Sequence, residues 1–324
     1  MNQNPSLHAR IKIFAKDNPL VSWWHIISTT VLLALAVTGT LPVEPLWERL
    51  LCSVLSGLLL VRLFVIFHDQ QHRAILPKSR LAEVFMRIFG MCALCPSTVW
   101  RSTHNDHHAH NCQLRVENIG SFPTMTRERF QSSTGIEKMK YLLMRHPLTL
   151  LFGYVTVFFY SMALQPAIAS PRRYWDAWPS VLIHLGLAVG LVLVFGWVAF
   201  VLTMAVPFLI ASALGAYLFY AQHNFPGVVL QDEAGWTYEG AALDSSSYLK
   251  TGPILSWFTG NIGYHHIHHL NHNIPFYRLP EVYRAIPELR KAKTTTLSPA
   301  DIIRCLRLKV WCPASQQMVG IKGL

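Results

Sequence analysis

Between Asp176 and Asp232 the chain contains no Asp, Glu, Lys or Arg, and this stretch narrows the possible folds more than any other feature. Its apolar part, Trp178 to Ala221, is about twice the roughly 20 residues needed to cross a bilayer's hydrocarbon. It reads as two closely joined spans, 179–199 and 201–221, turning near Gly196 to Phe200. Asn18 to Val43 is likewise uncharged and supplies a span over about 20–41, and the run Leu50 to Phe67 supplies another, 50–67. In hydrocarbon every backbone N–H and C=O must be paired within the protein, so such runs form helices. Composition agrees: 52% of residues are hydrophobic and 14% charged, against about 25% charged in soluble domains. The first run is too long for a signal peptide and no small-residue cleavage pattern follows, so it is read as a retained span.

Charge orients the spans. From Arg62 to Arg145 there are 12 Lys/Arg and 6 Asp/Glu, and from Lys250 onward 10 and 3, which places 68–147 and 222–324 on the cytoplasmic side. Pro42, Glu44, Pro45 and Glu48 form a short turn on the other side. Arg62, near the far end of its span, is expected to snorkel to the interface. Glu83 to Cys95 is apolar but too short to span and reads as an interfacial helix. Leu148 to Ser170 is long enough, yet Arg172-Arg173 follow at once, so a re-entrant or interfacial pair fits the charge rule better. The expected fold class is therefore an all-α integral membrane protein: four transmembrane helices, interfacial or re-entrant helices, and a cytoplasmic histidine-rich part, in one domain over 1–324. The net charge of +11 is not gathered into a basic tract with interleaved aromatics, so anionic headgroups are the expected partner and nucleic acid is not. The six cysteines are scattered, and Cys92-Ala93-Leu94-Cys95 has no second pair to complete a zinc site, which leaves reduced packing cysteines. Gly186 and Gly190 form a GxxxG read as internal helix packing. His25 and His184, inside spans, are read as structural.

Three dense histidine clusters carry the chemistry: His68-Asp69-Gln70-Gln71-His72, His104-Asn105-Asp106-His107-His108 and His265-His266-Ile267-His268-His269. Spacings of three and four put the imidazoles on one helical face, where they can aim at a common point. His266 points about 100° away from His265 and is left out. Eight imidazoles are too many for one zinc, which takes four ligands, so two metals are expected. Asp69 and Asp106 can accept the far N–H of a ligand ring and fix it. No Glu stands three residues before a His, which excludes the soluble carboxylate di-iron pattern, and no HExxH occurs. Imidazole suits iron, copper, nickel and zinc alike, so the residues do not choose the metal.

These boxes resemble the HxxxH, HxxHH and HxxHH boxes of the membrane fatty-acid desaturases. Ile119-Gly120-Ser121-Phe122-Pro123, Gln222-His223-Asn224-Phe225, Ser246-Ser247-Tyr248-Leu249 and Asn273-Ile274-Pro275-Phe276-Tyr277-Arg278-Leu279-Pro280-Glu281 extend the likeness to the bacterial acyl desaturase branch. The resemblance implies a non-haem di-iron centre held by His68, His72, His104, His107, His108, His265, His268 and His269, with His223 as a ninth ligand at the family's extra histidine site. It implies an oxidoreductase that uses dioxygen and external electrons to place a cis double bond in an acyl chain. The chain would sit in the bacterial inner membrane with its active site facing the cytoplasm. No haem-binding His-Pro-Gly-Gly segment occurs, so the donor is expected to be a separate ferredoxin-like or cytochrome b5-like protein. The acyl group could ride on lipid, CoA or carrier protein. Two other readings compete: a related di-iron lipid oxidase (carotenoid ketolase or hydroxylase, or alkane hydroxylase), and a histidine-rich metal transporter, which would need ionisable residues in several spans where only Arg62, His25 and His184 qualify.

Overall fold

The structure, a computed structural model, describes residues 6–41, 45–114 and 120–321; the expected turn around Pro42 and Glu44, and Ile119, lie outside them. The described residues are mainly helical, and three helical runs are long and apolar enough to cross a membrane: Pro19–Thr38, Leu46–Gln71 and Ala177–His223. A short helix α1 (Leu7–Lys12) precedes the first, α2 (Pro19–Thr38). Asn18 starts α2 by accepting from the Leu20 and Val21 N–H groups, with Pro19 in the first turn where a missing N–H costs nothing. The second run is α3 (Leu46–Gln71), which carries His68 at its end.

After α3 the chain turns into α4 (Arg80–Cys92) and α5 (Ser97–Ala109), bent by 93° from one another. Leu81, Val84 and Ile88 of α4 are exposed at i, i+3 and i+7, while Ala82 and Met86 on the opposite side are buried. This two-faced pattern suits a helix lying in a membrane interface. Next come α6 (Arg127–Ser132), α7 (Gly135–Met144) and α8 (Pro147–Leu151), then a π-helix (Tyr154–Leu164) running into α9 (Gln165–Ala169). Tyr154–Ala169 is apolar but shorter than the spans. Arg173, just beyond it, donates to Ser102 Oγ of α5 at 3.0 Å, so the Arg172-Arg173 pair returns to the side that bears the second box.

The third run comprises α10 (Ala177–Phe200), a π-turn (Val201–Ala205) and α11 (Val206–His223). It folds back on itself at Gly196, whose φ of 81° and ψ of 172° are not helical and are open to a residue without Cβ. His184 and Phe208, far apart on a straight helix, have ring centroids 4.9 Å apart. Each limb has about the length a membrane requires. In α10 the His184 imidazole bonds the Tyr154 hydroxyl at 2.6 Å and the Cys92 carbonyl at 3.0 Å, tying α10 to the π-helix and to α4.

Two expectations change. Arg62 does not snorkel: it is buried, donating to Thr29 Oγ1 at 3.1 Å and to the Trp257 carbonyl, meeting His25 Nδ1 at 3.1 Å and lying 3.9 Å over the Trp257 ring. Those partners come from α2 and from a segment nearly 200 positions away, so local sequence could not show them. Gly186 and Gly190 are not an internal packing seam either, because a Cβ at either position would meet nothing within 4 Å; both face outward from α10.

The remaining chain caps the box-bearing ends of the spans. It contains α12 (Tyr238–Asp244), α13 (Pro253–Phe258), α14 (His265–Leu270), α15 (Leu279–Ala285) and α16 (Pro299–Arg307). Strands β1 (Tyr248–Lys250) and β2 (Thr294–Thr296) pair in parallel, and β3 (Val310–Cys312) and β4 (Gln317–Val319) form a hairpin. The main core joins Leu63, Val65, Ile66 and Phe67 of α3 to Ile267, Leu270, Ile274 and Phe276 around the third box. The histidines thus sit where α3, α5, α11 and α14 meet.

Candidate metal centre

Each box is local in sequence, but the boxes do not make one site each. The imidazoles sort into two groups, His68, His72, His104, His108 and His268 in one and His107, His223, His265 and His269 in the other, with the nitrogens of each group within 4.8 Å of one another. In the first, Nε2 of His104 lies 3.0 Å from that of His68 and 3.2 Å from that of His108, which is 3.0 Å from that of His268. In the second, Nε2 of His265 lies 2.8 Å from that of His223 and 3.1 Å from that of His269, itself 3.2 Å from that of His107. His108 and His269 stack 4.3 Å apart across the two groups.

The outward nitrogens say what the inward ones carry. The Ser245 carbonyl can only accept, so the His223 Nδ1 that meets it at 3.1 Å holds the proton, and His223 Nε2 presents a lone pair inward. His68 Nδ1 faces the Asp69 carboxylate at 3.0 Å, with the same result. Asp69 is fixed in turn by the Phe276 N–H, 2.6 Å from its second oxygen. His107 Nδ1 meets Ser121 Oγ at 2.6 Å. Burial holds His265, His268 and His269 well below the usual imidazole range, and neighbouring histidines push the same way. Neutral imidazoles with several lone pairs crowded on two points fit a pair of cations, since a buried acceptor facing only acceptors is otherwise unpaired.

All nine expected ligands fall in the two groups. His266 falls in neither; it is buried with its ring about 6.1 Å from Tyr248 and Tyr283. Asp106, expected to steady a ligand ring, has a carboxylate oxygen 3.1 Å from Nδ1 of His110, which is in neither group. Sequence reading missed three contributors. Ser245 acts through its backbone carbonyl, which no side-chain pattern announces. Asp176, before α10, accepts from the Thr98 N–H at 3.1 Å and from its hydroxyl, capping the helix that carries the second box. His272, three residues past the third box, has its ring 4.7 Å from His72 and 5.1 Å from His108; the Asn271-His272-Asn273 stretch was the available signal.

A cavity of about 350 Å³ reaches this centre. His68 and His104 of one group and His265 of the other form its inner wall, beside Trp100, which stacks on His104 at 4.5 Å. The rest is mostly apolar, with Val61, Phe64 and Val65 from α3, Phe158 and Met162 from the π-helix, and Leu218 and Phe219 from α11.

Comparison with known proteins points the same way. Residues 45–299 match the model of the family described as fatty acid desaturase. The chain is 29% identical to the "Fatty acid desaturase" of Bacillus subtilis (strain 168) over 84% of its own length and 77% of that protein's. It is 25% identical to the "sn-1 oleoyl-lipid 12-desaturase" of Anabaena variabilis over 88% and 83%, and 23% identical to the "sn-1 acyl-lipid omega-3 desaturase (ferredoxin)" of Nostoc sp. (strain 36) over 72% and 66%. With two histidine groups set where the apolar helices α3 and α11 meet α5 and α14, and a family match over most of its length, the chain belongs to the fatty acid desaturase family.

Proposed function

We propose that the protein inserts a cis double bond into an acyl chain, using dioxygen and electrons from a separate ferredoxin-like or cytochrome b5-like donor. The observation that carries this reading is the cavity: an apolar channel whose inner wall is shared by both histidine groups. An unactivated methylene offers no polar handle, so the protein must fix it by shape. Val65, Phe64, Trp100, Phe158 and Leu218 do so, setting two adjacent carbons against His68, His104 and His265.

Two irons would be held by His68, His72, His104, His108 and His268, and by His107, His223, His265 and His269, and when bound would supply the redox chemistry that activates dioxygen. The balance is that two C–H bonds give up two electrons and two protons, the donor supplies two more electrons, solvent two more protons, and dioxygen leaves as two waters. Asp69 and the Ser245 carbonyl hold the His68 and His223 rings in the ligating tautomer. Burial of the histidine wall keeps water from the reacting carbons. The protein would sit in the bacterial inner membrane with this wall on the cytoplasmic side, where the basic segments lie. A transporter reading fits less well, because Arg62, His25 and His184 are all bonded to protein partners.

The test is expression in a host rich in saturated and monounsaturated acids, with fatty acids profiled by mass spectrometry and iron counted per chain. New unsaturated species and about two irons are expected, with the new species lost in His265→Ala. A hydroxylated or ketolated product would move the protein to another lipid oxidation, and an unchanged profile from an iron-loaded protein would remove the reading.

A further inference from the structure

The cavity gives an apolar chain a way to the histidines, but it suits a metal ion poorly. Its lining is mostly apolar, and stripping water from a divalent cation to pass along such a wall is strongly unfavourable. The ions therefore reach their ligands from another side. His72 and His108 of the first group do not line the cavity, and neither does His272.

On that side His272 is the ring with access to water. It is half-buried, whereas His72 and His108 are only 8% and 4% exposed. Its ring lies 4.7 Å from that of His72 and 5.1 Å from that of His108. The loop that holds it is fixed: Asn271 accepts the Asn273 N–H through Oδ1 and the Ile274 N–H through its carbonyl, both at 3.1 Å, and Leu270 and Ile274 are buried on either side. The chain surfaces at His272 and Asn273 and turns straight back into the core.

The other end of the ring points to a ligand. His272 Nδ1 is buried without a hydrogen-bond partner among the described residues, and so is Nε2 of the neighbouring His72. A buried polar atom left unpaired destabilises a fold, and a neutral imidazole nitrogen is a good ligand for a first-row divalent cation. Yet His272 is outside the set of five whose nitrogens lie within 4.8 Å of one another, so it does not converge on the ion they share. A histidine beside the set, but not in it, and open to water is placed to receive an ion and hand it on.

We infer that His272 is the entry ligand of the first metal: its Nδ1 takes a ferrous ion from water, displacing one water ligand, and releases it as the nitrogens of the first group, His72 foremost, replace it. No electron changes hands, because each step exchanges one neutral ligand for another. This rests on the two-metal reading of the centre and holds whichever lipid is oxidised. A transfer ligand is bound in neither end state, so it sets the rates of loading and release and leaves the affinity alone.

In the test, full-length apoprotein in detergent is mixed with ferrous ion under argon and bound iron is followed in time; excess coloured chelator added to the loaded protein then follows release. His272→Ala and His272→Phe are compared with wild type, the second keeping a ring against His72. Both variants are expected to bind about two irons with wild-type affinity. Loading and release of one of the two should slow together by about tenfold, a small change in barrier for one lost transient ligand. The other ion, on His107, His223, His265 and His269, should exchange at the wild-type rate. Weaker affinity with faster release in both variants would make His272 a resident ligand, a defect in His272→Ala that His272→Phe repairs would make it a packing ring, and unchanged rates in both would give the ion another route. Each of these results would overturn the inference. A wild type that takes up no iron would instead remove the two-metal reading beneath it, and the entry role with it.

Discussion

Asp69 ties the first histidine box to the segment after the third: one carboxylate oxygen meets His68 Nδ1 at 3.0 Å and the other accepts the Phe276 backbone N–H at 2.6 Å. Side chain and main chain from residues more than 200 positions apart are thereby held in one register. The His68 ring direction depends on where the Asn273–Glu281 stretch packs.

Asp69→Asn keeps the volume but weakens this clamp. Iron affinity should fall by about 10 to 100-fold, the usual cost of disturbing a group that orients a ligand ring. Competition against a calibrated chelator measures it, and an affinity equal to wild type would show that His68 needs no such support.

His223 and His266 should separate cleanly. His223 Nε2 lies 2.8 Å from His265 Nε2, whereas His266 is in neither group. His223→Ala is expected to lose bound iron and unsaturated product, while His266→Ala keeps its iron. If folded His223→Ala held two irons and turned over normally, the ninth ligand would be struck from the set.

Removing the Asp176 carboxylate uncaps α5 from a distance. Asp176→Ala leaves the Thr98 N–H without its acceptor and should destabilise the protein by about 1–2 kcal/mol, as for loss of a strong N-cap. Because α5 carries His104, His107 and His108, iron should also bind more weakly. Thermal unfolding in detergent, followed with and without iron, would show both effects; an unchanged midpoint would mean the cap carries no weight.

Gly263, two residues before the third box, has no room for a methyl group. A Cβ there would be driven into the Leu249 carbonyl oxygen, next to the point where the Leu249 N–H donates to the Gly263 carbonyl at 2.8 Å. Gly263→Ala should cost about 1–3 kcal/mol, the usual range for overpacking, and displace α14 with its ligands. A variant of wild-type stability and iron content would contradict the close approach.

What the sequence by itself determined is what local chemistry determines. Uncharged runs must become helices in hydrocarbon, so α2, α3 and the paired limbs of Ala177–His223 were legible, and the turn near Gly196 with them. Ser298 followed by Pro299 has the chemistry of a helix start, and Ser298 Oγ accepts the Asp301 N–H in the first turn of α16. Histidine spacing named eight of the nine residues that converge in space, and His223, outside the boxes, came from the resemblance of Gln222-His223-Asn224-Phe225.

Only the tertiary structure decided how the nine are shared. Relative to His104, His108 is rotated by about 40° one way and His107 by about 60° the other, so a single helix feeds both groups. Which group each ring joins depends on how α5 docks against α3, α11 and α14, and the same holds for His268 against His265 and His269. The partners that hold Arg62, the Ser245 carbonyl behind His223 and the Asp176 cap on α5 are long-range contacts of the same kind. No periodicity encodes them, because each is set by the packing of elements whose own sequences do not refer to one another.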